Sequence, residues 1–157
     1  MKCNIEPTTL VIAFLAASVL SIVPTAEGQQ CSLASAAGRY AFTLTGNILS
    51  PTGWVPAAAV GRLNIDPEGN VTGTEARNVG GGFANETVTG TVTINPNCTG
   101  KATFNIFQSG ALVRKTVFST VTDDNFTEIR SVEQSLILEP SGTHVPAVIT
   151  TVVKRLF

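Results

Sequence analysis

From Gly38 onward the chain alternates hydrophobic and polar residues in short runs rich in Val, Thr, Ile and Phe, each bounded by Gly, Pro, Asn or Asp. A period of two sends successive side chains to opposite faces of a strand. The pattern predicts eight strands, over 39–48, 57–65, 71–77, 83–94, 99–107, 112–121, 126–138 and 145–156. No stretch after residue 28 carries a helical period. The punctuation between strands, such as Asp66-Pro67-Glu68-Gly69-Asn70 and Gly80-Gly81-Gly82, supplies residues that fix φ or permit positive φ. Connections this short force antiparallel neighbours, because a parallel return needs a crossover of about a dozen residues. The expected fold is therefore all-β, an eight-stranded antiparallel up-and-down meander. It is read as a closed barrel, which removes both sheet edges, with a two-sheet sandwich as the alternative. One internal echo, Val71-Thr72-Gly73-Thr74 against Val88-Thr89-Gly90-Thr91, is too short to be a repeat.

A meander also assigns ends. With the start of the first strand called the bottom, the turns at 66–70, 95–98 and 122–125 fall there, and those at 47–56, 78–82, 108–111 and 139–144 fall at the top. Tyr40, Phe42 and Leu44 share one face of the first strand, while Ala57, Ala59 and Gly61 lead to Leu63 and Ile65 in the second. Bulk at the bottom and small residues higher up suggest a barrel filled below and hollow above. The segment 47–56 is expected to loop over that opening and to carry Trp54, the single tryptophan.

The first 28 residues change the picture of the chain's destination. Lys2 precedes an apolar run from Leu10 to Val23, and Pro24 and Ala26-Glu27-Gly28 follow. Fourteen helical residues span about 21 Å, short of the ~30 Å hydrocarbon core, so the run reads as a signal peptide cleaved after Gly28 and not as a permanent membrane anchor. A single domain over 29–157 remains. It retains nine basic and nine acidic residues, and its only adjacent basic pairs are Arg114-Lys115 and Lys154-Arg155. Phosphate neutralisation needs clustered cations, so nucleic acid is not an expected partner. Two cysteines remain, Cys31 and Cys98. Export favours a disulfide between them, and the meander brings both to the bottom.

Candidate chemistry is sparse. His144 is the only histidine and no Gly-x-Ser-x-Gly elbow is present, so no catalytic residue, metal site or cofactor is assigned. Asp66–Asn70 and Asp123–Asn125 lack the ligand spacing of a twelve-residue calcium loop and read as turns. In the seventh strand Phe126, Glu128, Arg130, Val132, Gln134, Leu136 and Leu138 form the more apolar face. Turned inward, that face would place Glu128, Arg130 and Gln134 inside the barrel, where a hydrogen-bonded charged pair orients a polar ligand group. The opposite register leaves them as a solvent-facing ion pair. Glu75 and Arg77 in the third strand pose the same question. The expected ligand-binding residues are Tyr40, Trp54, Glu128, Arg130 and Gln134.

Gly38-Arg39-Tyr40-Ala41-Phe42, Gly61-Arg62-Leu63 through Asp66-Pro67-Glu68-Gly69-Asn70-Val71-Thr72-Gly73, and Gly90 through Asn95-Pro96-Asn97-Cys98-Thr99-Gly100 resemble a group of uncharacterised secreted bacterial proteins. More loosely, the layout resembles small lipocalin-like and allene-oxide-cyclase or dirigent-like barrels. That resemblance implies export and either an apolar ligand or a cyclisation reaction; no Gly-x-Trp opens the first strand, and no active site is carried over. The expected function is a secreted, extracellular or periplasmic, barrel that binds a small apolar molecule at its top. The runner-up is an interaction or structural domain with a filled core, and the third reading is a cofactor-free cyclase or isomerase. An empty cavity separates the first and third from the second. A buried carboxylate touching that cavity favours the enzyme, and a wholly apolar lining favours the binder.

Overall fold

The computed structural model describes residues 31–157; the expected signal peptide lies outside the described residues. After a single helical turn, α1 (Leu33–Ala36), the chain runs through β1 (Gly38–Ser50), β2 (Gly53–Ile65), β3 (Asn70–Val79), β4 (Gly82–Ile94), β5 (Thr99–Gln108), β6 (Ala111–Thr122), β7 (Glu128–Leu138), β8 (Thr143–His144) and β9 (Ala147–Arg155). Strands β1 to β7 pair consecutively and antiparallel, and β9 lies between β7 and β1 to complete the ring. The eight-stranded meander barrel is closed. The two-residue β8 adds to β7 through Ile137 and Leu138.

Turn chemistry sets the register. Gly80 and Gly81 both have positive φ, 56° and 93°, which the tightest twist-matched hairpin requires and β-carbon-bearing residues resist. Counting outward from that turn places Glu75 opposite Glu86. Between β1 and β2 the expected ten-residue loop does not form. Only Pro51 and Thr52 separate the strands; the Ser50 hydroxyl donates to the Gly53 carbonyl at 2.7 Å and accepts from the Thr52 amide at 3.3 Å. The ladder therefore continues to Leu49↔Trp54, and Trp54 is a strand residue on the outer face, 55% exposed.

Inside, Tyr40, Phe42, Leu63, Ile65, Val71, Val88, Ile106 and Val153 form the main core, joined by Ala102, Phe118 and Ile149. An eight-stranded barrel is just wide enough for side chains to fill it. Ala57, Ala59 and Gly61, the small residues that suggested a hollow, do not line the space that remains inside the barrel. A β-carbon on Gly61 would lie 2.5 Å from Phe42 Cε1, and one on Gly46 would lie 2.9 Å from Ile149 Cγ1. These glycines make room for bulky neighbours on the adjoining strands. The lower interior retains only a cavity of about 90 Å³.

The bottom is sealed. Ser32 caps α1 by accepting from the Ser35 amide at 3.2 Å, and the fully buried Tyr40 donates its hydroxyl to the Ala36 carbonyl at 2.7 Å. Arg155 donates to the Ser35 and Ala37 carbonyls and lies over the Tyr40 ring, 5.7 Å from its centroid. Cys31 is bonded to Cys98 with Cα atoms 5.1 Å apart, and both pack with Ala36 and Phe126.

The disulfide staples the plug across a 67-residue separation. Urea denaturation of the Cys31→Ser/Cys98→Ser double variant is expected to show a loss of about 2–4 kcal/mol relative to the oxidised protein. Coincident unfolding curves would remove the staple from the account of stability.

Candidate functional site

Two irregularities shape the upper barrel. On β6 the register shifts so that Val113 is an extra residue between the Ile106↔Arg114 and Phe107↔Leu112 pairs. On β7 a second shift leaves Gln134 between Glu133 and Ser135. An extra residue bends its strand and re-aims the side chains on either side of it. The first shift brings both Val113 and Arg114 to the barrel's mouth. The second reverses the phase of β7, so that Ile129 and Ser131 border the lower cavity and Glu133 is partly buried, while Leu136 keeps its inward position on the far side of the shift.

This overturns the inward placement of Glu128, Arg130 and Gln134. Arg130 donates to Glu128 at 2.6 Å on the outer surface near the bottom, with its side chain 73% exposed; that hydrogen bond holds the Glu128 carboxyl below its ordinary range. Gln134 donates to the Ser119 hydroxyl at 2.6 Å, also outside. Trp54 and Gln134 border one external groove together with Val145, Pro146 and Val148. Tyr40 is committed to the bottom plug, where burial raises its phenol pKa. The five residues expected to meet around a ligand are thus divided among the plug, the lower surface and an outer groove.

Other residues, several of them not singled out by alternation, converge inside. Arg114 reaches from β6 to the carboxylates of β3 and β4. Its Nη1 donates to Glu86 Oε1 at 2.9 Å, and its Nη2 approaches Glu86 Oε2 at 2.7 Å and donates to Glu75 Oε1. Arg77 Nε donates to both Glu86 oxygens at 3.1 Å. The side chain of Glu86 is wholly buried and that of Glu75 nearly so. Beside them, Glu133 accepts from the Thr116 hydroxyl, and its other oxygen, Oε2, has no hydrogen-bond partner among the described residues. Burial pushes the Glu75 pKa up to about 7 against the pull of Arg114, with the hydrogen bond to Glu86 adding to the rise. Burial likewise raises Glu133. For Glu86, burial is outweighed by the hydrogen bond and charge of Arg114, assisted by Arg77, and its pKa falls. Adjacent carboxyls that cannot both ionise cheaply thus divide the roles, Glu86 as the anion and Glu75 as the proton holder.

Above this polar floor lies an open vestibule of about 580 Å³. Its walls are largely apolar, with Ile48, Val55, Val79, Val113, Leu136 and Leu138 prominent, and Arg77 and Arg114 at its base. His144, carried on β8, stands at the rim. A pocket of this size falls within the usual range for small-molecule sites, about 300–1,000 Å³, whereas the lower cavity does not. Asp66, by contrast, is occupied by its own turn, accepting from the Glu68 and Asn70 amides at 3.1 and 2.7 Å.

A closed eight-stranded meander barrel, sealed at one end and open at the other, is the class of protein that this architecture defines. No family model and no curated protein matches the chain. Among solved structures the fold is similar to that of EF1p2_mFAP2b bound to DFHBI, with a TM-score of 0.55 and 12% identity over 78% of this chain and 94% of that one. At that identity the likeness is one of fold.

Folded Glu75 holds its proton up to about pH 7, whereas the unfolded chain releases it near the ordinary 4.5. The folded state therefore binds more protons between those values, and stability present below pH 4.5 is lost as pH rises through 7. Thermal melts across that window are expected to fall by the equivalent of about 1–3 kcal/mol, and Glu75→Gln is expected to flatten the decline. Removing Arg114 leaves the carboxylate of Glu86 buried without its main partner, so Arg114→Met should cost about 3–5 kcal/mol in denaturant titrations.

Proposed function

We propose that the protein is an exported barrel that binds a small, mainly apolar molecule in the vestibule, with residues 1–28 serving as a cleaved signal peptide. The observation that carries this reading is the apolar, pocket-sized opening above a floor of buried, mutually hydrogen-bonded charges. Rigid polar groups beneath apolar walls give a ligand both burial energy and a fixed orientation. The shared fold with a barrel described as bound to DFHBI supports the same reading. Export is supported by the Cys31–Cys98 bond. An extracellular or periplasmic location follows from this proposal, and the bacterial origin implied by the sequence resemblance is part of it.

One observation favours a second reading, a cofactor-free cyclase or isomerase. Glu75, with a pKa of about 7, borders the lower cavity as well as the ion network, and a carboxyl that titrates near neutrality is suited to proton transfer. Against it, the cavity's ~90 Å³ approximates three water molecules, and Glu75 already hydrogen-bonds to Arg114. The binder is the better-supported reading.

A neutral apolar fluorophore, N-phenyl-1-naphthylamine, is expected to bind one-to-one with enhanced emission, and Val79→Trp, which fills the mouth, is expected to abolish the signal without lowering the melting temperature by more than a few degrees. Absence of binding to the unaltered protein would favour the filled-core interaction domain instead.

A further inference from the structure

The ionic side chains that line the vestibule are all of one sign. Arg77 and Arg114 stand at its base, and the lining contains no Asp or Glu. The two arginines are not equivalent. Both Nη atoms of Arg114 are taken up by Glu75 and Glu86. Arg77 spends only its Nε on Glu86, and its two Nη groups make no hydrogen bond with any described residue. Its side chain is about three-quarters buried, at 23% relative exposure, so the free edge of the guanidinium meets the vestibule and not open solvent on every side. The ionisable groups around this edge are Glu86, Glu75 and Arg114 beneath it, with Glu133 further along β7; the His144 ring lies above.

We propose that the vestibule selects a single-tailed amphiphile with a carboxylate head, the head seated on the free Nη edge of Arg77 and the tail lying along Val55, Val79, Val113, Leu136 and Leu138. This inference rests on the binding reading above and adds the ligand's chemical class. A planar carboxylate matches the two parallel N–H groups of a guanidinium edge, and such paired charge-assisted bonds are the strong ones. The balance of charge supports a monoanion. Glu86 neutralises about one of the two guanidinium charges, and Glu75 keeps its proton through mildly acidic pH, which leaves roughly one positive charge to be matched. A cationic head would face two arginines across a low-dielectric gap, where repulsion is weakly screened. The apolar walls would bury the tail, each methylene adding about the usual transfer free energy.

The test uses three ligands of equal tail length, decanoate, decanol and decyltrimethylammonium, in calorimetric titrations at pH 6, where Glu75 keeps its proton, below their aggregation concentrations. Decanoate is expected to bind at least about tenfold more tightly than decanol, and the cation most weakly. In Arg77→Gln the decanoate advantage should disappear while decanol affinity changes by no more than about twofold, which also shows that the variant is folded. Arg77→Lys, which keeps the charge but loses the flat two-donor edge, should recover part of the advantage. Equal binding of decanoate and decanol, or preference for the cation, overturns the head-group inference while leaving the apolar site intact. Failure of all three ligands to bind overturns the site itself.

Discussion

Antiparallel pairing of β7 with β6 on one side and β9 on the other is the constraint from which the rest of the molecule follows. Without it the eight strands form an open, twisted sheet with one wet face. With it, every second side chain is forced into a space that admits little more than those side chains. The interior composition then becomes intelligible. Glycine lies where a ring from the next strand must pass, as at Gly61 beneath Phe42, and threonines such as Thr116 and Thr151 are buried beside the small cavity that remains. The same confinement explains the ion network. Glu75 and Glu86 face each other across the β3–β4 hairpin, and a pair of carboxyls in a dry wall persists only with a guanidinium between them and the interior.

The network divides the barrel into two regions with different physics. Below Glu75 and Arg114 the packing is close and mostly apolar, ending in a plug tied by a disulfide and by Tyr40 and Arg155. Above them the walls remain apolar but the strands diverge into an open mouth, with register shifts at Val113 and Gln134 on two neighbouring strands. Such shifts are common at barrel rims and beside sites, where they re-aim side chains at some cost in ladder bonding. The polar floor thus belongs to both regions, supporting the core from above and offering chemistry to the mouth from below.

Strand positions, every turn but the one between β1 and β2, barrel closure and the cysteine pair were legible in the sequence because each has a local signature: alternation, Gly-Gly or Pro-Asn punctuation, and a meander that counts turns to one end or the other. The faces of β1 and β2 were legible for the same reason. The face of β7 was not. Its extra residue at Gln134 reverses the parity of the preceding half, and alternation read from Leu136 backwards assigns Glu128 and Arg130 to the wrong side. Trp54 was misplaced because Pro-Thr turns are rarely so tight unless a neighbour such as Ser50 ties the backbone. Glu75 and Arg77 were visible as candidates, and counting from Gly80-Gly81 would have added Glu86. Arg114 and Glu133 had no such signal, since their roles depend on distances across the barrel and on burial that neighbours on other strands impose.

The two ends of the described chain lie together. Cys31 is fixed to the bottom turn at Cys98, Arg155 donates to the Ser35 and Ala37 carbonyls at the end of α1, and the Leu156 amide donates to the Arg39 carbonyl. The mouth is at the opposite pole. Anything joined to either end, whether a tether, a reporter or a solid support, would therefore hang from the sealed base and hold the opening outward, so the barrel can be immobilised or fused without obstructing the face it presents to its surroundings.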